Sequence, residues 1–567
     1  MKKEFKFFET YEINDLKDML FKTTQRNKNR VAFRLKDSNG KIYTKTYAEY
    51  KSDVEALATK MIRDGFQGKR IAVIGKNSYE WAISYLASVI IGVVVPIDKE
   101  SSDGNIKEFF NKAKVTAVFG DEKYIKRIEK LMPELESKPK LFNMNADMEG
   151  LISAGKELQA NGDQEFEKIE IDPNEMRILL FTSGTTGNSK GVMLSHKNIC
   201  SDMIAVAKTV KVDHTTSVLS ILPIHHTYEC TLGYLLVIYG GGNIAYVEGL
   251  RYITKNIAEY KPTFILCVPL LLENVYQKIL KTLKASLPEK YTADENAIMD
   301  KLPFYLKVIV KHKVKKSLGG RMKTFIVGAA AINPAIVDGF FSMGIKVLQG
   351  YGLTECSPLV VGNNDYYHKA ASCGMPIPGV EYAIENPNEE GVGEIIVRGP
   401  NVMLGYYENE EETNKVLKDG WFHTGDLGYK DDEEFLYISG RSKNMILTKN
   451  GENIYPEEIE GILNSEELIG EAIVIGASDG KDDVQVKAKI FPNMEAIKEY
   501  LGNKIPSKEE IRKVISDVIK KANEKLPNFK HIKSFKIMEE DFERTTTNKV
   551  KRFGKNVEDY DEKKEEK

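Results

Sequence analysis

At 567 residues, with 42% hydrophobic and 29% charged side chains, the chain has room for two or more domains and an ordinary globular composition, which excludes a disordered or fibrous class. A formal net charge of −2 excludes a general attraction to nucleic acid or to anionic membrane and leaves only local patches. Five scattered cysteines (Cys200, Cys230, Cys267, Cys356, Cys373) lack CxxC or metal-ligand spacing, so reduced thiols in a cytoplasm are expected.

The N-terminal MKKEFKFFETYEIND meets acidic residues before any apolar core and does not read as a signal peptide. Residues 47–65 carry apolar side chains at helical spacing, 70–75 (RIAVIG) read as a buried strand, 79–91 as a helix and 93–96 as a strand. The most apolar run, 87–97, is broken by Gly92 and Pro96 and falls short of the roughly 20 apolar residues of a membrane span. With a further strand at 115–119, this alternation predicts a doubly wound α/β sheet.

Residues 177–196, RILLFTSGTTGNSKGVMLSH, are the most informative stretch. An apolar strand at 178–181 opens into a loop of hydroxyl residues and glycines, and a second strand follows at 192–194. Such a loop offers backbone N–H groups and hydroxyls to one concave spot, and Lys190 adds a positive charge, which is chemistry for holding a polyphosphate. Gly187 is followed by Asn188-Ser189-Lys190 and not by Gly-Lys-Ser/Thr, so this is not a Walker loop.

Beyond it the sequence predicts a helix at 198–209 and strands at 217–222, 263–268 and 323–327. The lysine-rich helical stretch 278–316 reads as a solvated excursion more than as a basic binding surface. Near Gly374 the pattern becomes β, with short strands at 380–385, 393–398 and 436–439, which predicts a small barrel or antiparallel sheet. Residues 440–444 (GRSKN) read as a connection to a compact α+β region. That region has strands at 445–448, 472–475 and 484–490, a helix opened by Pro456 and a capping box at Ser507 and Glu510. The charged tail after Arg552 is expected to fray.

FTSGTTGNSKGVMLSH resembles the phosphate loop of the adenylate-forming superfamily, which includes acyl-CoA synthetases, luciferases and peptide-synthetase adenylation domains. LPIHHTYE (222–229), VGAAAINP (327–334), QGYGLTE (349–355), GWFHTGDLG (420–428), GRSKNMI (440–446) and NGENIYPEEIE (450–460) match in the same order. VPLLLENVYQKI (268–279) and LGGRMKTFIVGAAAINP (318–334) look most like long-chain fatty acyl-CoA synthetases. The fold implied is α/β: a large domain, 1–439, of two doubly wound sheets plus a small β-barrel, and a small mobile α+β domain, 440–567, hinged near Lys443.

The resemblance implies a two-step reaction. A carboxylate attacks the α-phosphate of ATP to give acyl-AMP and pyrophosphate, and a CoA thiol then takes the acyl group. By matching positions, Thr182, Ser183, Gly184, Thr185, Thr186, Gly187 and Lys190 are expected to hold the β- and γ-phosphates of the Mg²⁺ complex of ATP. Glu355 is expected to approach the Mg²⁺, as a hard oxygen ligand, with Thr354 beside the α-phosphate. Gly328, Ala329, Ala330, Gln349, Gly350, Tyr351 and Gly352 belong to the adenine side, and Asp426 to the ribose hydroxyls. Without the family, Asp426 reads as a turn residue.

His226 is the histidine expected to face carboxylate and α-phosphate, with His225 undecided, and Arg441 is expected near the nucleotide. Gly451 matches the glycine that lets the pantetheine arm of CoA pass. Tyr228, Cys267, Val268 and Ala331 are expected to line the acyl pocket. The catalytic lysine is assigned to Lys549, although ERTTTNK (543–549) carries Glu543 and Asn548 where the family has Pro and Gly. Asn tolerates a left-handed backbone better than most residues.

The leading expectation is an ATP- and CoA-dependent fatty acid ligase in the cytoplasm. Its partners are ATP, CoA and fatty acid, with no nucleic acid, and the reading allows a homodimer and passing contact with the inner face of the membrane. The alternatives are delivery of the acyl group to a carrier protein, a ligase for another carboxylic acid, and a non-catalytic nucleotide-binding homologue.

Overall fold

A computed structural model describes residues 6–182, 189–292, 298–448, 452–478, 484–544, 550–552 and 554–557. The described residues divide into two compact units, the first built from those within 6–182, 189–382 and 397–422, the second from those within 383–396 and 423–557.

The first unit holds two large mixed sheets. One runs, in spatial order, Gly405–Tyr406, Lys190–Ser195, Met176–Thr182, Val93–Ile97, Arg70–Ile74, Ala117–Gly120 and Lys140–Asn143. The last five are parallel neighbours, and Lys190–Ser195 folds back antiparallel on Met176–Thr182. The other sheet runs Met375–Pro376, Leu359–Gly362, Lys346–Gly352, Thr324–Val327, Phe264–Cys267, Ser217–Ser220, Asn243–Tyr246, Val31–Lys36 and Ile42–Thr46. Its strands from Lys346–Gly352 to Val31–Lys36 are parallel. Parallel neighbours need crossover connections, which is why helices alternate with strands along the sequence.

Local chemistry sets the helix ends. Ser78 caps the Tyr79–Ile91 helix by accepting from the Trp81 N–H, and every residue of that helix but Glu80 is buried, as suits a helix apolar all round. Thr46 and Glu49 form a capping box for Tyr47–Arg63, and Ser195 with Asn198 does the same for His196–Thr209. His196 at that helix start is a core residue: its Nδ1 accepts from Leu16 N (3.0 Å), its Nε2 lies 3.1 Å from Val89 O, and burial pushes it down to about 3.

The lysine-rich stretch resolves into helices Pro269–Ser286, Glu289–Thr292, Ile298–Lys301 and Phe304–Ser317. Their inner faces join one apolar core with Cys267, Phe325 and Val327.

In the second unit, strands Ile469–Ser478, Val484–Pro492 and Ser534–Ile537 form a three-stranded sheet. Helices Pro456–Asn464 and Lys508–Glu524 cover it through Ile459, Leu463, Val514, Ile515, Val518 and Ile519. The Ser507–Glu510 capping box is present. Two features differ from expectation. The small β region is a five-stranded sheet whose order ends on Glu381–Glu385, so among the described residues it stays open, whereas a barrel requires its end strands to pair. Residues 440–444 are only in part a connection: the strand Leu436–Arg441 continues because Arg441 pairs with Asp426, and the chain then turns at Ser442–Asn444. Of the tail, Gly554–Asn556 makes a 3₁₀ turn with Asn556 buried, and 558–567 lie outside the described residues.

Candidate active site

In open α/β sheets ligands bind beyond the carboxyl ends of parallel strands. The expected site residues of the first unit fall there. His225 and His226 follow Ser217–Ser220, Val268 follows Phe264–Cys267, residues 328–331 follow Thr324–Val327, and Lys346–Gly352 leads to the 3₁₀ turn Thr354–Cys356.

Of the phosphate-loop set, 183–188 lie outside the described residues, and Thr182 and Lys190 stand opposite each other across the hairpin. The Lys190 ammonium lies 2.6 Å from Glu412 Oε2 and 4.7 Å from the centroid of the Tyr406 ring. Lys190, then Lys415, holds the Glu412 carboxyl down at about 2. Tyr406 is carried by the short strand Gly405–Tyr406, which pairs with Met193 and Val192 next to the loop. Its hydroxyl donates to Glu355 Oε1 at 3.0 Å. Tyr406 thus joins the phosphate-loop lysine to the carboxylate expected at the metal, a link no local sequence signal announces.

The turn that carries Thr354 and Glu355 is tightly held. Met403 N donates to Glu355 O (2.8 Å), and Asn401 Nδ2 donates to Cys356 O (3.0 Å) and Leu359 O (2.7 Å). Gly352 is required by close approach, because a Cβ there would sit 1.9 Å from Pro358 O. Among the residues expected at the adenine, Gln349 pairs with Val327, and its Nε2 contacts Cys373 Sγ at 3.3 Å. Gly350 and Tyr351 pair with Gly362 and Val361, and Tyr351 is half-buried. Gly328 is buried and Ala329, Ala330 and Ala331 are exposed, with Ala329 at φ +72°, a conformation unusual outside glycine that clusters at ligand sites.

Of the residues expected at the acyl pocket, Tyr228 donates its hydroxyl to Ile326 O (3.0 Å), and its ring carbon lies 3.2 Å from where a Gly328 Cβ would stand. Val268 is half-buried and Cys267 fully buried in the core behind it. The Tyr228–Leu235 segment is a π-helix, a form that recurs at functional sites. It buries Glu229, whose carboxyl is pushed up to about 8 by burial against the opposing pull of Ser220 and Leu222, so it is neutral at pH 7.

Asn77 fixes the histidine loop, donating to Ser220 Oγ (2.9 Å) and Leu222 O (2.7 Å) and accepting from Ile224 N (3.1 Å). The His225 and His226 ring centroids are 4.0 Å apart. His225 Nε2 lies 3.5 Å from Asp98 Oδ2, at the end of Val93–Ile97 in the other sheet. His225 is buried and His226 half-buried, so His226 is the more accessible of the two. Two groups among the described residues gather three possible cation ligands within 4.8 Å, Asp98/His225/His226 and Glu385/Glu394/His423.

In the second unit, Asp426 is buried, its N–H donates to Thr424 Oγ1 (3.0 Å), and its Oδ1 lies 3.0 Å from Arg441 Nε. Asp426 and Arg441 are therefore brought together, and Lys443 is exposed on the following turn. Gly451 and Lys549 lie outside the described residues. The segment that contains Lys549 is bracketed by a bridge between Arg544 and Val550 and by Lys551 N donating to Glu543 O at 2.9 Å. The neighbouring cations have acidic partners: Lys551 lies 3.5 Å from Glu543, and Arg552 pairs with Glu460, whose burial raises it to about 7.

The model of the AMP-binding enzyme family matches residues 20–407, and that of the AMP-binding enzyme C-terminal domain matches 443–563. The long-chain-fatty-acid–CoA ligase ACSBG2 of Rattus norvegicus is 29% identical over 492 residues, covering 78% of this chain and 72% of the relative. The long-chain-fatty-acid–CoA ligase FadD15 of Mycobacterium bovis is 26% identical over 565 residues, covering 89% of each. Among solved structures, O-succinylbenzoate coenzyme A synthetase (MenE) of Bacillus subtilis, in complex with ATP and magnesium ion, shares the fold at a TM-score of 0.72 and 22% identity, over 94% of this chain and 98% of that one. Family matches over both units and long-chain ligase relatives across the chain agree with the site's place at the strand ends: the chain belongs to the AMP-binding enzyme family of adenylate-forming enzymes.

Proposed function

We propose that the chain activates a medium- to long-chain fatty acid in two half-reactions and releases acyl-CoA, AMP and pyrophosphate. The observation that carries this reading is the Lys190–Tyr406–Glu355 chain of contacts, which gathers a cation and a carboxylate in one place.

In the first half-reaction a carboxylate oxygen attacks the α-phosphorus of the Mg²⁺ complex of ATP, and the bond to pyrophosphate breaks. The Glu355 carboxylate is the oxygen donor that would hold Mg²⁺, a hard ligand that fits the ion, with the Thr354 hydroxyl beside the α-phosphate. The Mg²⁺ supplies charge neutralisation on the phosphates. Residues 182–187 and Lys190 hold the leaving pyrophosphate. His226 orients the carboxylate and the α-phosphate, and Gly328–Ala330 with 349–352 flank the adenine. Asp426 takes the ribose hydroxyls, with Arg441 fixing its carboxylate. Lys549 stabilises charge in the adenylation transition state.

In the second half-reaction the CoA sulfur bonds to the acyl carbon, the carbon–oxygen bond to AMP breaks, and the thiol proton leaves to solvent. Domain 440–567 rotates at Lys443 between the two, exchanging Lys549 for the channel at Gly451, a device that assembles catalytic groups in sequence. Tyr228, Val268 and Ala331 line the acyl pocket, with Cys267 backing it. Five buried cysteines, none of them in a disulfide, fit a reducing cytoplasm, where the substrate is drawn from the membrane surface.

The test is AMP and pyrophosphate release across fatty, aromatic and amino acids, with and without CoA. Fatty-acid-dependent exchange of pyrophosphate into ATP without CoA, and stoichiometric acyl-CoA and AMP with it, are expected. Exchange that CoA does not convert into thioester points to a carrier-protein acceptor, and no exchange with any acid refutes catalysis.

A further inference from the structure

We infer that the helix Phe304–Ser317 is a docking surface for an anionic lipid bilayer. The sequence alone favours a solvated excursion here, and the side chains say otherwise. Val310 and Val314 are buried, and Leu306 packs beside them against the apolar core. On the outer side stand Phe304, 82% exposed, Tyr305 (64%), Val308 (51%) and Ile309 (45%). At spacings of i, i+1, i+4 and i+5 they form one patch over the first two turns. Single exposed apolar side chains need no explanation, but a contiguous set of four marks an interaction surface.

The last two turns of the same outer side are basic. Lys311, His312, Lys313, Lys315 and Lys316 are exposed, and with Lys307 the helix carries five lysines and no acidic residue. None of the five has a carboxylate partner among the described residues. In a chain of net charge −2 this is a local concentration of positive charge.

One exposed face that is apolar at one end and basic at the other fits an anionic bilayer. Phe304, Val308 and Ile309 enter the acyl boundary, while lysine stems keep their ammonium groups at the phosphates. A second copy of the helix would set five lysines against five, which like-charge repulsion opposes. The helix shares its core with Cys267 and Val327, so the docked face belongs to the body that carries the acyl wall. That the bilayer delivers the fatty acid rests on the ligase reading, whereas the docking itself does not.

The full chain is mixed with vesicles of phosphatidylcholine containing phosphatidylglycerol and, in parallel, with phosphatidylcholine vesicles, and the bound fraction is read by flotation. Binding to the anionic vesicles at low salt, its release by salt and little binding to the neutral ones are expected. The triple variants Phe304→Ser/Val308→Ser/Ile309→Ser and Lys311→Glu/Lys315→Glu/Lys316→Glu should each lower that binding more than about tenfold. Their ATP–pyrophosphate exchange with a soluble medium-chain fatty acid, without vesicles, should stay at the parent's rate. Equal vesicle binding by parent and variants, no binding by the parent, or a dimer in light scattering that the serine variant splits would overturn the proposal. Loss of exchange in the parent would instead sink the ligase reading and leave the vesicle result standing.

Discussion

Glu229→Gln isolates a cost that the site region imposes on the fold. Glu229 is 1% exposed on the π-helix, three residues after His226, and its carboxylate fills the space that a side chain at Gly233 would occupy, 2.7 Å from the missing Cβ. Burial raises its carboxyl from 4.5 to about 8. Below about pH 4.5 the group is protonated in both folded and unfolded chains and contributes no pH dependence. Between about 4.5 and 8 the folded state keeps a proton that the unfolded state has lost, so stability falls as pH rises, and above about 8 it levels off. At about 1.4 kcal/mol per pH unit, the fall across this window is on the order of 4–5 kcal/mol. Glutamine keeps the shape of the neutral acid and does not titrate. Urea unfolding of both proteins across this pH range should show the variant gaining on the parent as pH rises, with the difference constant above about 8. Taking the difference cancels every other titrating group. Two curves that stay parallel from pH 5 to 8 would refute the buried, protonated carboxyl.

Tyr406→Phe removes the hydroxyl that donates to Glu355. A hydrogen bond to a charged group contributes about 1.5–3 kcal/mol, so KM for the Mg²⁺ complex of ATP should rise about tenfold or more with a shifted Mg²⁺ dependence, and an unchanged Mg²⁺ titration would remove Tyr406 from the site. Lys549→Ala should lower adenylation by roughly 2.7–4 kcal/mol of transition-state stabilisation while thioester formation from synthetic acyl-AMP continues. Equal loss of both half-reactions in single-turnover assays would count against that role. Gly451→Leu should leave pyrophosphate exchange intact and block thioester formation, and undiminished acyl-CoA synthesis would close the channel hypothesis.

Much of this was legible because its causes are local. The boundaries of the Tyr79–Ile91 helix follow from Ser78 and from Gly92, whose Cβ would meet Lys69 O at 2.3 Å. The Ser507–Glu510 box reads directly off four residues. What escaped depends on partners far along the chain. Tyr406 reaches Glu355 only because Gly405–Tyr406 pairs with a strand more than 200 residues earlier, and Asp98 meets His225 only because two sheets each end a strand there. Nor does periodicity separate an α-helix from the π-helix at Tyr228–Leu235, which buries Glu229.

The same long-range pairing changes what the phosphate-loop lysine can contribute. Lys190 read in isolation is a cation offered to a polyphosphate. In the folded unit it already has a carboxylate, Glu412, at 2.6 Å. A phosphate that takes Lys190 must take it from Glu412, so the lysine's contribution to ATP affinity is the difference between two anions and not the whole of one ion pair. Glu412 keeps Lys415 at 2.8 Å, so it is not left uncompensated when Lys190 turns away. Exchange of partners at low net cost suits the proposed clamp on a leaving group, which would have to hold pyrophosphate through the first half-reaction and release it before the second.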